Sequence, residues 1–226
     1  MFALASLVSC LALPALAAPF GPSGPRGSAP NFASLLASAS TGCSTSGLTV
    51  PLSGQTTLAL PSGQAVSMVT TGRGIQNYTC TGGAYVSVGA VANLYDVSCL
   101  LANSSWCEDD LNTVLPTLAF NALSFPDTSG LPVKVHHFFT TSTGTLSPEF
   151  ATASDHVIAS KTASLASPNS TATDVAWLQL TAIAGQGTLA QSVYRLETVN
   201  GQPPTSCTTE GTLLSVQYAA MYYFTE

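Results

Sequence analysis

From Ala65 to Phe224 the chain repeats one pattern: short runs of apolar and β-branched residues, alternating with period two and separated by Gly, Pro or Asn. Successive side chains on a strand point to opposite faces. A chain built of such runs must therefore bury its apolar faces between pleated layers or inside a closed sheet. The run Leu131–Phe139 sets Val133, Val135 and His137 on one face, against Lys134, His136 and Phe138. In Asp174–Ile183, Val175, Trp177, Gln179 and Thr181 oppose Ala176, Leu178, Leu180 and Ala182. Similar runs fall at 65–69, 75–80, 84–96, 157–161, 189–198 and 213–224, with Gly72-Arg-Gly74 and Gly82-Gly83 read as turns. Only 99–123 reads as irregular or briefly helical. Strand–helix–strand alternation is missing from the pattern. The expected fold is all-β, mainly antiparallel: a β-sandwich or barrel with one short helix.

Three segments are expected. Residues 1–17 have the layout of a signal peptide: an apolar run, then Pro14 and Ala15-Leu16-Ala17. The run before Pro14 is about twelve residues, short of the roughly 20 that span a bilayer. Residues 18–42 read as a flexible Pro/Gly/Ser-rich arm, with a short helix capped by Asn31. Residues 43–226 read as a single β domain. The expected location is secreted, extracellular or in a cell wall, and no later segment is apolar long enough to span a membrane.

Charge excludes one class of partner. Only 7% of residues are charged, the five basic residues are scattered, and the formal net charge is −6. Nucleic acid needs a phosphate-neutralising patch, and this chain has none.

Beyond the leader lie Cys43, Cys80, Cys99, Cys107 and Cys207. An exported chain is expected to form two disulfides from them. Five choices of leftover thiol times three pairings leave roughly fifteen arrangements open. Asn77, Asn103 and Asn169 head Asn-x-Ser/Thr sequences and are glycosylation candidates, with Asn77 set inside a strand.

The chemistry-bearing residues are few. His136, His137 and His156, with Asp155, form the one set that acid–base or metal chemistry could use. Adjacent histidines on a strand face opposite ways, so at most one of His136 and His137 can join His156. No metal site and no cofactor are expected. Gly185-Gln-Gly187-Thr-Leu-Ala190 matches a loose dinucleotide fingerprint, but the residues after it read as a strand, so it is taken as a hairpin turn. Glu108-Asp-Asp110 reads as a solvated turn, and Trp106, Trp177, Tyr218, Tyr222, Tyr223 and Phe224 mostly as core in preference to a sugar- or lipid-facing platform.

Several longer stretches carry a resemblance. They are Gly74-Ile-Gln-Asn-Tyr-Thr-Cys80, Gly89 to Cys99, His136-His-Phe-Phe139 and Ser147-Pro-Glu-Phe150, followed by Asp174 to Leu180, Val193 to Thr198, Gln202 to Cys207 and Val216 to Phe224. Together they resemble a secreted, mostly fungal family, domain of unknown function 3455, over about residues 43 to 224. Asn200-Gly201 stands where the family pattern has Gly-Gly, and Thr225 where it has an aromatic. Cys107 falls outside the pattern, so the resemblance leaves Cys43, Cys80, Cys99 and Cys207 as the disulfide candidates. Family members often carry the name malate dehydrogenase, and the resemblance implies that activity. Such an enzyme needs a nucleotide-binding domain and arginines for a dicarboxylate, whereas this chain has only Arg26, Arg73 and Arg195.

The expected role is a binding or structural protein at a cell surface, wall or host interface. Its expected partner is a wall polysaccharide, a small apolar ligand or a host surface. The alternative is an extracellular hydrolase-like or metal-dependent enzyme using the His/Asp set, and the oxidoreductase ranks last.

Overall fold

The computed structural model describes residues 32–38, 42–103 and 108–226. Eight strands follow one another around a closed barrel: β1 (Val66–Thr81), β2 (Ala84–Asp96), β3 (Val135–Thr140), β4 (Ser147–Ala151), β5 (His156–Leu165), β6 (Trp177–Gly187), β7 (Ser192–Asn200) and β8 (Leu213–Thr225). Each pairs antiparallel with its sequence neighbours, and β1 pairs with β8, from Val66↔Thr225 to Thr79↔Leu213, to close the ring. Closure joins the first strand to the last, so among the described residues the sheet has no edge strand. Of sandwich and barrel, the chain forms the barrel.

Gly72-Arg-Gly74 is not a turn. It lies within the sixteen-residue β1. A Cβ on Gly72 would stand 2.7 Å from Cε2 of Tyr222, so glycine lets that ring lie flat on the inner wall of β1. Strand β4, over the Ser147-Pro-Glu-Phe150 motif, is too short to register as a periodic run.

Two cores result. Inside the barrel, Met68, Leu94, Val135, Phe150, Val157, Leu180, Val193, Tyr222 and Phe224 pack together. Outside, one flank of β1, β7 and β8 is covered by α1 (Phe32–Ser38), α2 (Ser98–Asn103), α3 (Glu108–Ala122) and the segment from Leu48 to Leu58. The span 99–123 is therefore more helical than its sequence pattern indicates. The inward face of α3 carries Leu111, Leu115 and Ala119, spaced one turn apart. The segment expected as a flexible arm carries a packed helix, because Phe32 is fully buried edge-on against Tyr95. With both faces covered, β8 buries Tyr218 to Thr225 without a break.

Arg73 ties the outer layer down. From β1 it donates to the carbonyl of Leu123, just past the end of α3 (3.0 Å), and to those of Gly74 and Tyr218 (3.0 and 3.1 Å), while lying over the Phe120 ring. A cation at a helix C-terminus meets both its unpaired carbonyls and its dipole. Two disulfides add covalent ties. Cys43–Cys99 joins the N-terminal segment to α2, and Cys80–Cys207 joins the end of β1 to the β7–β8 connection. All four predicted half-cystines are thereby paired, and Cys107, like Trp106, lies outside the described residues. No described helix is long and apolar enough to cross a membrane.

Candidate functional site

The barrel is filled at one end and open at the other. Met68, Val193 and Phe224 pack near the β4–β5 and β6–β7 turns. Toward the β3–β4, β5–β6 and β7–β8 connections the lumen opens into a cavity of about 500 Å³. An eight-stranded barrel is just wide enough either to fill with side chains or to hold one small molecule. Phe139, Leu146, Pro148, Phe150, Leu178 and Leu180 form the apolar wall. Leu146, in the β3–β4 connection, is half exposed at the rim.

The polar wall comes from strands alternating inward. Gln76 and Tyr78 come from β1, His137 from β3, Lys161 from β5, Arg195 from β7 and Tyr222 from β8. Tyr78 donates to the carbonyl of Gly201 (2.7 Å), which braces the end of β1 against the β7–β8 connection. Tyr218 and Tyr222 share a hydroxyl–hydroxyl bond of 2.7 Å. Arg195 donates through Nε and Nη2 to one carbonyl, that of Ala176 (3.2 and 2.8 Å), and its guanidinium lies 6.0 Å from the centre of the Tyr218 ring.

His137 is 4% exposed and stacks on Phe150, with ring centres 4.3 Å apart and planes 9° from parallel. Its Nδ1 is 3.0 Å from the carbonyl of Glu149. A carbonyl can only accept, so Nδ1 carries the hydrogen and Nε2 is left as a bare acceptor. Burial pulls the His137 pKa down to about 4, with the nearby Arg195 charge acting in the same direction. Burial likewise pushes the Tyr78 phenol up to about 12 and raises Tyr218 and Tyr222. Near neutral pH these tyrosines and His137 are uncharged, and the charged side chains on the wall are the cations Arg195 and Lys161. No carboxylate lines the cavity among the described residues.

The structure separates the histidine–aspartate set. His137 points into the lumen, while His136 and His156 are exposed on the outer surface. Both outer histidines lie opposite Ala151, so one strand stands between them, about 10 Å in all. His136 bonds through Nδ1 to Asn93 (3.2 Å). Asp155 is occupied in the β4–β5 turn, where the Thr188 hydroxyl and then the His156 amide hold its carboxyl below the usual carboxylate range. No group of three or more metal-ligating side chains is found among the described residues. Gly185 and Gly187 lie within β6, and the chain turns through 188–191 into β7, so no helix starts there to hold a pyrophosphate.

Of the Asn-x-Ser/Thr candidates, Asn103 and Asn169 are exposed. Asn77 is half-buried in β1, with its side-chain oxygen accepting from Ser215 (2.7 Å).

Arg195 and Lys161 were not among the residues singled out from the sequence. Both stand in ordinary strand sequence. Only inward orientation on strands either side of β6 brings them to one wall: Lys161 lies opposite Leu180, and Arg195 opposite Leu178.

The family model described as protein of unknown function (DUF3455) matches residues 61–226, which hold all eight strands. The chain belongs to the DUF3455 family. Within this DUF3455 chain the match covers the whole lumen and the Cys80–Cys207 disulfide but leaves out α1. Searches of curated proteins and of solved structures returned no match.

Proposed function

We propose that this is a secreted binding protein that takes one small, largely apolar molecule into the barrel lumen. The single observation behind this reading is the open cavity of about 500 Å³ with a mixed apolar and polar wall. Its size and lining are those of small-molecule sites, which run to roughly 300–1,000 Å³ with a few placed polar groups. The two disulfides fit an oxidising compartment, and the leader-like residues 1–17 fit export. A chain with only 7% charged residues fits an extracellular or cell-wall setting, with candidate glycans at Asn103 and Asn169.

The test is a fluorescence titration with N-phenyl-1-naphthylamine, a neutral apolar probe that brightens on leaving water. Saturable binding at one site per chain is expected. Ser164 lies exposed at the rim, opposite Leu178. Ser164→Trp is expected to weaken the probe about tenfold or more by filling the entrance, with the far-UV spectrum unchanged. Equal binding by this variant, or no saturable binding by the natural chain, would overturn the reading.

A further inference from the structure

We infer that the molecule held in the lumen carries an anionic head of the carboxylate class, set against Arg195 and flanked by Lys161 at the entrance. This rests on the lumenal binding reading above and deepens it.

Arg195 is 8% exposed, and its anchors are both neutral: the carbonyl of Ala176 and the hydroxyl of Tyr222. Two of its nitrogens converge on the carbonyl oxygen. A guanidinium carries five hydrogens, so donors remain on the side facing the cavity and Tyr222. It makes no ion pair among the described residues, and no carboxylate lines the cavity. Withdrawing a cation from water without an opposite charge is unfavourable. Arg73 offsets this cost with three carbonyls, those of Leu123, Gly74 and Tyr218, whereas Arg195 has one carbonyl and one hydroxyl.

A second donor stands on the same wall. Gln76 is 5% exposed, and its Nε2, which carries two hydrogens, reaches only toward the Tyr218 hydroxyl among the described residues. Lys161 adds a further cation with no partner among the described residues, on the inward face beside Leu180. The polar wall thus offers surplus donors and positive charge. The facing wall is Phe139, Phe150, Leu178 and Leu180. A molecule with a carboxylate at one end and a hydrocarbon body fits both. A carboxylate takes two parallel hydrogen bonds from a guanidinium, a geometry that a lone hydroxyl cannot use. Tyr218 and Tyr222, whose hydroxyls bond to each other, fix the floor beneath the head.

The test compares decanoate with 1-decanol, which share a chain and differ in the head. Each is titrated calorimetrically into the full-length mature protein. Decanoate is expected to bind roughly tenfold or more tightly than decanol, as charge-assisted hydrogen bonds allow. Lys161→Gln, at an exposed position, is expected to weaken decanoate about threefold or more and decanol less than twofold. Arg195→Gln is expected to abolish the preference for decanoate. If Arg195→Gln does not fold, the natural chain and Lys161→Gln decide. Decanol binding as tightly as decanoate, or an unchanged preference in folded variants, overturns the anionic head and leaves the lumenal reading standing. Failure of both molecules to bind, together with failure of the naphthylamine probe, removes the lumenal reading itself.

Discussion

His137 lies flat on Phe150 inside the barrel, ring centres 4.3 Å apart, with its Nδ1 hydrogen directed at the carbonyl of Glu149. A histidine held this way is neutral because burial removes the solvation that an imidazolium needs, and its pKa falls to about 4.

That depression makes stability depend on pH. In the unfolded chain the imidazole takes up a proton near pH 6.5, whereas in the folded chain it does so only near pH 4. Between these values the unfolded state binds more protons, so stability falls as pH drops through the window and is unaffected above it. The loss is about 3 kcal/mol across the window. Urea unfolding at pH 7 and pH 4.5 checks this. His137→Phe, which keeps the stacked ring and removes the titration, is expected to flatten the difference.

Gly72 meets Tyr222 with no room for a side chain. The Tyr222 ring cannot retreat, because its hydroxyl is bonded to Tyr218 and Phe150 packs against its edge. Gly72→Ala is expected to cost about 1–3 kcal/mol as overpacking, read as a lower urea midpoint. The same change on Gly63, where a Cβ would meet nothing within 4 Å but φ is +85°, tests backbone strain alone.

The buried guanidinium of Arg73 fastens α3 to the barrel through Leu123. Arg73→Met is expected to cost about 2–5 kcal/mol, because it strands carbonyls that are buried away from water. Hydrogen exchange separates this from general loosening: amides of α3 should exchange faster, while those of the β4–β5 hairpin should not.

Cys80–Cys207 closes a separation of 127 residues and holds the β7–β8 connection at the open end of the barrel. Replacing both cysteines by serine is expected to cost about 2–5 kcal/mol, chiefly by freeing the unfolded chain. Because Gln202 lines the cavity from that connection, the naphthylamine probe should also bind more weakly to the double variant while it remains folded.

Much of the strand content was legible. Period-two alternation set His137 with Val133 and Val135, and Val135 and His137 are both buried inside the barrel. The same logic put Leu178, Leu180 and Ala182 together, and they face the interior. Gly72-Arg-Gly74 reads as a break because glycine pairs signal turns, whereas here Gly72 makes room for the Tyr222 ring from the paired strand β8 and Gly74 for the close approach of Val91 and Ala92 on β2. Helix α3 was only partly visible. Its apolar face is narrow, and its partners, Tyr223 and Met221, lie a hundred residues further on, as the bond from Tyr223 to Asn112 across a separation of 111 shows.

Local alternation, the turn residues and the cysteines determined by themselves that this chain is an antiparallel β protein with covalent ties, because each of those signals acts between residues a few positions apart. Tertiary structure alone decided that β1 closes on β8, that Cys43 pairs with Cys99 and Cys80 with Cys207, and that Arg195 and Lys161 face one cavity while His136 and His156 face out. These follow from strand register between segments up to 159 residues apart, as in Val66↔Thr225. Alternation tells which residues share a face, but only closure of the ring tells which face becomes the inside.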